Sequence, residues 1–245
     1  MSNSKKVLVI GDACKDVFIY CDAPRLCPDV PVPVLNIKNR KENGGMAVNV
    51  QSNIKALFNN CDILTNSNWE AITKTRYVHD SSNHMFFRVD SEHDIDRIDL
   101  TDIDLNYDIV VVSDYNKGFL EKEDIEFICK THKNVFLDTK KILGPWALAA
   151  RYIKINDYEY KNSLQHITND LNKLIIHTSG AKGCFFQGEN FPVEKVEVKD
   201  TSGAGDSFMA ALVVKFLETE DIKKSINFAN LRAAEVVKHR GVTLI

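Results

Sequence analysis

Residues 200–208 read Asp-Thr-Ser-Gly-Ala-Gly-Asp-Ser-Phe and lead straight into an apolar run, 209–217. Gly203 and Gly205 let the main chain come close to a ligand. The unpaired amides at the start of a following helix face an anion, and the helix dipole favours negative charge there. Asp206 would then lie beside that anion, where a carboxylate can take a proton from an incoming hydroxyl. The chemistry this suggests is phosphoryl transfer to an alcohol. The same residues would equally serve as a turn with Asp206 or Ser202 as its N-cap. Two other phosphate motifs are absent: there is no G-x-x-x-x-G-K-[ST] sequence. Gly203-Ala204-Gly205 also lacks a third glycine and comes late in the chain, unlike a dinucleotide fingerprint.

The elements that must carry this turn are legible as alternation. Short apolar runs at 7–10, 108–113, 134–138, 152–155 and 174–178 suit strands covered on both faces. Helical patterns lie between or after them, at 45–58, 121–133, 157–169, 204–218 and 222–240. This order predicts an α/β fold, a doubly wound and mainly parallel sheet. Residues 16–20 and 32–38, with a Pro-containing turn between them, and 72–79 and 84–90, around 80–83, fall outside the alternation. They predict either an antiparallel edge extension or a small β lid over a ligand crevice at the strand ends. Phe185 and Phe186 read as strand core.

Composition narrows the function classes. The chain has 245 residues, with 31 Lys plus Arg against 34 Asp plus Glu and a net charge of −3. That balance gives no electrostatic case for a nucleic-acid partner. The six cysteines form no C-x-x-C pair, which points to reduced thiols and a cytoplasmic protein. The apolar run 7–10 is too short for a signal peptide. No stretch approaches the ~20 apolar residues of a membrane span.

DTSGAGDSF closely resembles the C-terminal signature of the ribokinase/PfkB family of sugar kinases. Other segments agree in order: GDACKD at 11–16, ENGGMAVNV at 42–50, Asn156-Asp157-Tyr158-Glu159 as an N-x-x-E element, and TSGAKG at 178–183. Within that family, CPDVPVPV (27–34), Lys74-Thr75-Arg76, DYNKG (114–118) and DTK (138–140) resemble the kinase domain of bacterial heptose-7-phosphate kinases. The resemblance implies ATP-dependent phosphorylation of the anomeric hydroxyl of a heptose 7-phosphate. Asp206 would be the base, and the amides of Gly203, Ala204 and Gly205 would hold the transferring phosphate. Asp12, Asp16, Gly44, Gly45 and Asn49 would meet the sugar, with Asp16 favoured over Asp12. Asn156 and Glu159 would organise Mg²⁺ through water. Thr178, Gly180 and Gly183 would lie along the nucleotide phosphates, and Asn230 near the adenine.

Each of these has a plainer reading as a turn, strand or helix-start residue. Lys74, Arg76 and Arg88 on the lid strands, and Lys117 in its loop, are cations that a substrate phosphate would need, or else solvated surface charges. The histidines show no metal-ligand spacing. Three functions stay open: a heptose-7-phosphate kinase, a kinase for another sugar or sugar phosphate, and a non-catalytic sugar- or nucleotide-binding protein.

One departure from the family is large. There, a strand, a helix and another strand separate the Gly-Gly helix from the lid hairpin. Here only 59–70 intervenes, as if a βαβ-type unit of ~30 residues were lost. The expectation is a short connection and a main sheet smaller at one edge. The resemblance also stops soon after Gly241, short of where family members usually continue, and the expectation is a kinase domain without a second transferase domain. Residues 1–245 are thus expected to form a single kinase domain, dimerising through the exposed edges of its lid.

Overall fold

The computed structural model describes residues 5–91, 93–101 and 103–245. The chain begins with β1 (Val7–Gly11), two long strands β2 (Ala13–Leu26) and β3 (Pro33–Met46), and helix α1 (Ala47–Leu57). A short strand β4 (Cys61–Leu64) and a hairpin of β5 (Thr73–His79) and β6 (Met85–Asp90) follow. Next come β7 (Ile109–Asp114), α2 (Lys122–Thr131), β8 (Val135–Thr139), β9 (Tyr152–Asn156), α3 (Asp157–Ser163), α4 (Asn169–Asn172) and β10 (Ile175–Thr178). A second hairpin, β11 (Cys184–Phe186) and β12 (Glu189–Phe191), precedes helices α5 (Ala204–Thr219) and α6 (Ile222–Val236).

The apolar runs become the parallel centre of an eight-stranded sheet in the order β12-β11-β10-β9-β8-β7-β1-β4. All six residues of β7 are buried, as expected for a strand with helices on both faces. α1, α5 and α6 pack on one face. α2 and apolar side chains of 95–107 pack on the other. α5 is apolar nearly all round because it is buried between the sheet and its neighbouring helices. Its first turn, which carries the Gly-Ala-Gly sequence, is therefore held rigidly. Among the described residues, no helix is long and apolar enough to cross a membrane. All six cysteines are free thiols. Burial pushes those of Cys14, Cys61, Cys129 and Cys184 up to about 12.

The four pieces outside the alternation form a separate sheet, β3-β2-β5-β6, and not an extension of the main one. β2 pairs antiparallel with β3 and parallel with β5. Both long strands outrun their expected limits, and Gly44 and Gly45 end β3 instead of opening α1. The tip of the β5–β6 hairpin is tied to the body. Arg240 donates to the carbonyls of Asp80 (3.0 Å) and Ser81 (2.7 Å), and Asn83 donates to the carbonyl of Lys199 (3.1 Å).

Segment 59–70 contains no helix, but it is not a bare connection. β4 pairs parallel with β1 and forms the sheet edge. Beyond it, Asn66 is locked to the β1–β2 junction: its Oδ1 accepts the amide of Ala13 at 2.8 Å. Two further expectations are corrected. The helix expected at 157–169 is shorter: α3 ends at Ser163, a 3-10 turn follows over Leu164–His166, and Thr168 then caps the separate α4 by accepting the Leu171 amide. Phe185 is not core, being 37% exposed on the hairpin, whereas Phe186 is buried.

Candidate active site

The groups singled out by type converge at the carboxyl ends of β1, β7, β8 and β9, where ligands sit in open α/β sheets. Gly203 adopts a left-handed φ of 78° as the N-cap of α5, and no side chain caps that helix end. A Cβ on Gly203 would lie 3.0 Å from Asn49 Nδ2, and one on Gly205 would lie 2.9 Å from Lys154 Nζ. The glycines therefore allow a close approach as well as a turn.

Asp206, in the first turn of α5, is not a cap. Its Oδ1 accepts from the Tyr115 hydroxyl at 2.6 Å and its Oδ2 from Asn49 Nδ2 at 2.7 Å. It is 6% exposed. Burial pushes its carboxyl above the usual carboxylate range, against the pull of those two hydrogen bonds. A carboxylate so placed is a stronger base than a solvated one.

A charged cluster lies opposite. Lys154, within the apolar strand β9, is buried and donates to Asp138 Oδ2 at 2.8 Å. Lys140 stands 3.7 Å from Asp138 Oδ1 and is ion-paired with Glu159. Burial would raise the Asp138 carboxyl, but Lys154 and Lys140 outweigh it and hold it below the usual range. Asp138 Oδ1 is buried with no hydrogen-bond partner. This cluster borders a cavity of about 310 Å³ lined by Tyr115, Asp138, Lys140, Lys154, Asn156 and Gly205, among others. An adjoining apolar cavity of about 260 Å³ is walled by Val193, Val196, Phe208, Ala233 and Val237. A third, of about 580 Å³, lies beside the small sheet, against Met46, Ile72, Lys74, His93 and Lys117.

The remaining sequence-derived residues divide. Thr178 and Gly180 border both of the first two cavities, and Gly183 borders the apolar one. Asn230 also borders the apolar cavity, with its amide donating to the Phe191 carbonyl at 2.8 Å. Asn156 and Glu159 form a reciprocal capping box at the start of α3, with Asn156 on the phosphate-sized cavity and Glu159 behind it. Asn49 meets Asp206, not a sugar pocket.

Asp12 departs most from expectation. It is fully buried, and its oxygens accept the amides of Tyr115 (2.7 Å), Lys117 (3.2 Å) and Phe119 (3.1 Å). It holds the loop at 115–119 through both of its oxygens. Asp16 is paired with Arg76 at 2.5 Å, and Gly45 leaves room for its other oxygen, since a Cβ there would lie 2.5 Å from Asp16 Oδ2. Of the four expected phosphate-binding cations, only Lys74 and Lys117 border the third cavity. Arg76 is engaged by Asp16, and Arg88 is exposed on an outer strand with Asp90 at 2.8 Å. Among the described residues, no group of three or more His, Cys, Asp or Glu could hold a metal.

Sequence reasoning assigned no role to Tyr115, Asp138, Lys140 or Lys154. One signal was present for Lys154: a lysine inside Tyr-Ile-Lys-Ile-Asn, a strand buried on both faces, needs a buried partner.

Residues 150–245, which hold the turn, Asp206 and the N-x-x-E element, match the model of the pfkB family carbohydrate kinases. Bifunctional protein HldE of Helicobacter pylori (strain G27) is 31% identical to 98% of this chain. This chain therefore carries a pfkB family carbohydrate kinase domain over residues 150–245. Its fold is ribokinase-like. A putative ribokinase from Agrobacterium tumefaciens superposes with a TM-score of 0.74 over 98% of this chain and 93% of that one, at 14% identity. Arabidopsis thaliana ribokinase complexed with ribose and ATP gives 0.67 over 97% and 94%, at 15% identity. The chain spans 64% of the length of the Helicobacter relative. That alignment runs over 301 positions, more than the 245 residues of this chain, so the relative carries segments that this chain lacks.

Proposed function

We propose that this chain is an ATP-dependent sugar kinase whose acceptor is the anomeric hydroxyl of a heptose 7-phosphate. The observation that carries the kinase reading is the burial of Asp206 beside the Gly203–Gly205 turn, with Lys154 at its rim. Phosphoryl transfer needs positioning and charge neutralisation more than covalent chemistry. The apolar cavity suits a nucleobase, and the charged one suits the polyphosphate. The turn amides and Lys154 neutralise the transferring phosphate while Asp206 takes the hydroxyl proton. A covering small sheet excludes water that would otherwise hydrolyse ATP.

Asn156 and Glu159 suit Mg²⁺ held through water, since the ion keeps most of its waters. Beside them Asp138 Oδ1 makes no hydrogen bond and lies 3.7 Å from the Lys140 ammonium, which shares the charge neutralisation. Bound there, Mg²⁺ would neutralise charge on the polyphosphate.

The heptose assignment is supported by the resemblance of 27–34, 114–118 and 138–140 to heptose-7-phosphate kinases. Lys74 and Lys117 at the third cavity suit a phosphorylated substrate. The short stretch 59–70 favours one variation, a different sugar phosphate, because it removes a wall of the family's pocket. ADP release from MgATP over a panel of sugars is the test. Turnover is expected with heptose 7-phosphate and at least tenfold weaker kcat/KM with the unphosphorylated heptose. Preference for the unphosphorylated sugar would overturn the sugar-phosphate reading, and no turnover with any sugar would overturn the kinase reading.

We infer further that the small sheet pairs with a second copy. Ile37, Met85, Phe87 and Val89 on its outer strands are each about half exposed or more. Sedimentation at tens of micromolar, roughly the range where weak dimers form, is expected to give a dimer. A clean monomer would remove this assignment.

A further inference from the structure

Tyr115 touches Asp206, the small sheet and the charged cluster. Its hydroxyl donates to Asp206 Oδ1. Its ring lies between Lys74 of the small sheet, 5.6 Å from the ring centroid, and Lys140 of the phosphate-side cluster, 5.2 Å from it. Its backbone is clamped by Asp12, which binds three amides of residues 115–119, and the next residue is clamped again. Asn116 donates its amide to Asp114 Oδ1 at 3.0 Å and accepts from Lys141 Nζ at 2.8 Å. A buried aspartate and a buried lysine thus fix the loop that carries Tyr115, and two cations flank its ring. A tyrosine that merely filled space would not need them.

We infer that Tyr115 is the positioning residue of the reaction: it aims the Asp206 carboxylate at the acceptor hydroxyl and sets the pH at which that carboxylate works. The inference rests on the kinase reading above. Asp206 has two donors, Tyr115 and Asn49, one on each oxygen, so its rotation is fixed and its remaining lone pairs face the cavity. In the reaction the sugar oxygen bonds to the γ-phosphorus, the bond from that phosphorus to ADP breaks, and the hydroxyl proton passes to Asp206. Tyr115 keeps its own proton throughout. Burial and the neighbouring Asp206 raise the phenol well above its ordinary value, so it remains a donor. The charged groups facing Asp206 are Asp138 and Lys140 from β8 and its loop, and Lys154 from β9. Asp16 from β2 and Lys74 from β5 face Tyr115. Asp138 disfavours ionisation of Asp206 and Lys154 favours it, so loss of the phenol removes one of the few groups that favour the charged base.

Tyr115→Phe keeps the ring and its cation contacts and deletes only the donor. The acid limb of kcat/KM reports ionisation of Asp206. It is expected to move up by about one to two pH units, with the rate recovering towards wild type above the limb. Incorporation of 3-fluorotyrosine at 115, a stronger donor of nearly the same size, is expected to move the limb down. A limb that stays in place in both proteins overturns the inference and leaves Tyr115 a packing residue. A readout without turnover separates this outcome from failure of the kinase reading. The ¹³C carboxyl resonance of Asp206, identified by its loss in Asp206→Asn, should titrate at higher pH in Tyr115→Phe than in wild type. If no sugar is phosphorylated but this titration moves, the hydrogen-bond role stands and the substrate reading falls. If the titration is unchanged, the inference is wrong whatever the activity.

Discussion

Asp206→Asn is expected to lower kcat by about 10²–10⁴ while the protein stays folded and still binds MgATP. The geometry shows why the fold should survive. An asparagine at 206 can accept from Asn49 through its carbonyl oxygen, and the Tyr115 hydroxyl can turn to accept from its amide, so both contacts persist. What is lost is the ability to take a proton from the sugar hydroxyl. Stability should shift the other way. The Asp206 carboxyl is raised in the folded state, so its contribution is fully present below the unfolded pKa and is lost as pH rises through the folded value. At neutral pH the ionised carboxylate is a burden on the fold, and the neutral amide relieves it. The melting temperature at pH 7 should therefore equal or exceed that of wild type, and the difference should shrink in acid. A variant with wild-type kcat at saturating sugar would rule out Asp206 as the base.

The second large effect is expected at Lys154, and it acts on fold and rate together. Lys154→Met removes the ammonium beside Gly205 and strands Asp138 in a dry site with only Lys140, at 3.7 Å, to compensate. Breaking a buried pair in this way costs about 3–5 kcal/mol. For a chain of this size that is a fall of about 10 °C in melting temperature. The rate should fall by about 10²–10³, as for the loss of one preorganised charge-stabilising group. Asp138→Asn combined with Lys154→Met should recover most of the stability and little of the rate. Thermal melts of the single and double variants, with single-turnover rates, make the check. An unchanged melting temperature in Lys154→Met would show that the pair is not the buried unit described, and full rate recovery in the double variant would remove Lys154 from the chemistry.

The legible and illegible parts of this protein differ in physical kind. β1, β7, β8 and β9 could be read because a strand covered on both faces must be a nearly unbroken apolar run. The turn at 203–205 could be read because main-chain contact with a ligand demands glycine at set places. β4 escaped notice because Cys-Asp-Ile-Leu is short, interrupted by an aspartate and partnered on one side only. At Asp12 and Asp16 the limit is of another kind. Residue type shows that a carboxylate needs partners but not which ones, and here backbone amides and Arg76 supply them. Tyr115 and Asn49 meet Asp206 from positions 91 and 157 residues away in the chain, a juxtaposition that no local pattern encodes.

The sheet ends at β4, one strand beyond β1, while the charged cluster hangs from β8 and β9, well inside. In evolutionary terms the outer rim of the sheet is a tolerant margin. A change of length there would lie several strands away from Asp206 and the lysine cluster. What such a change alters is the shape of the substrate's berth. At that rim Asn66 fastens the segment after β4 to the start of β2. On the proposed function, the stretch from 59 to 70 is therefore the natural place to graft a new sugar preference while leaving Asp206 and the lysine cluster untouched.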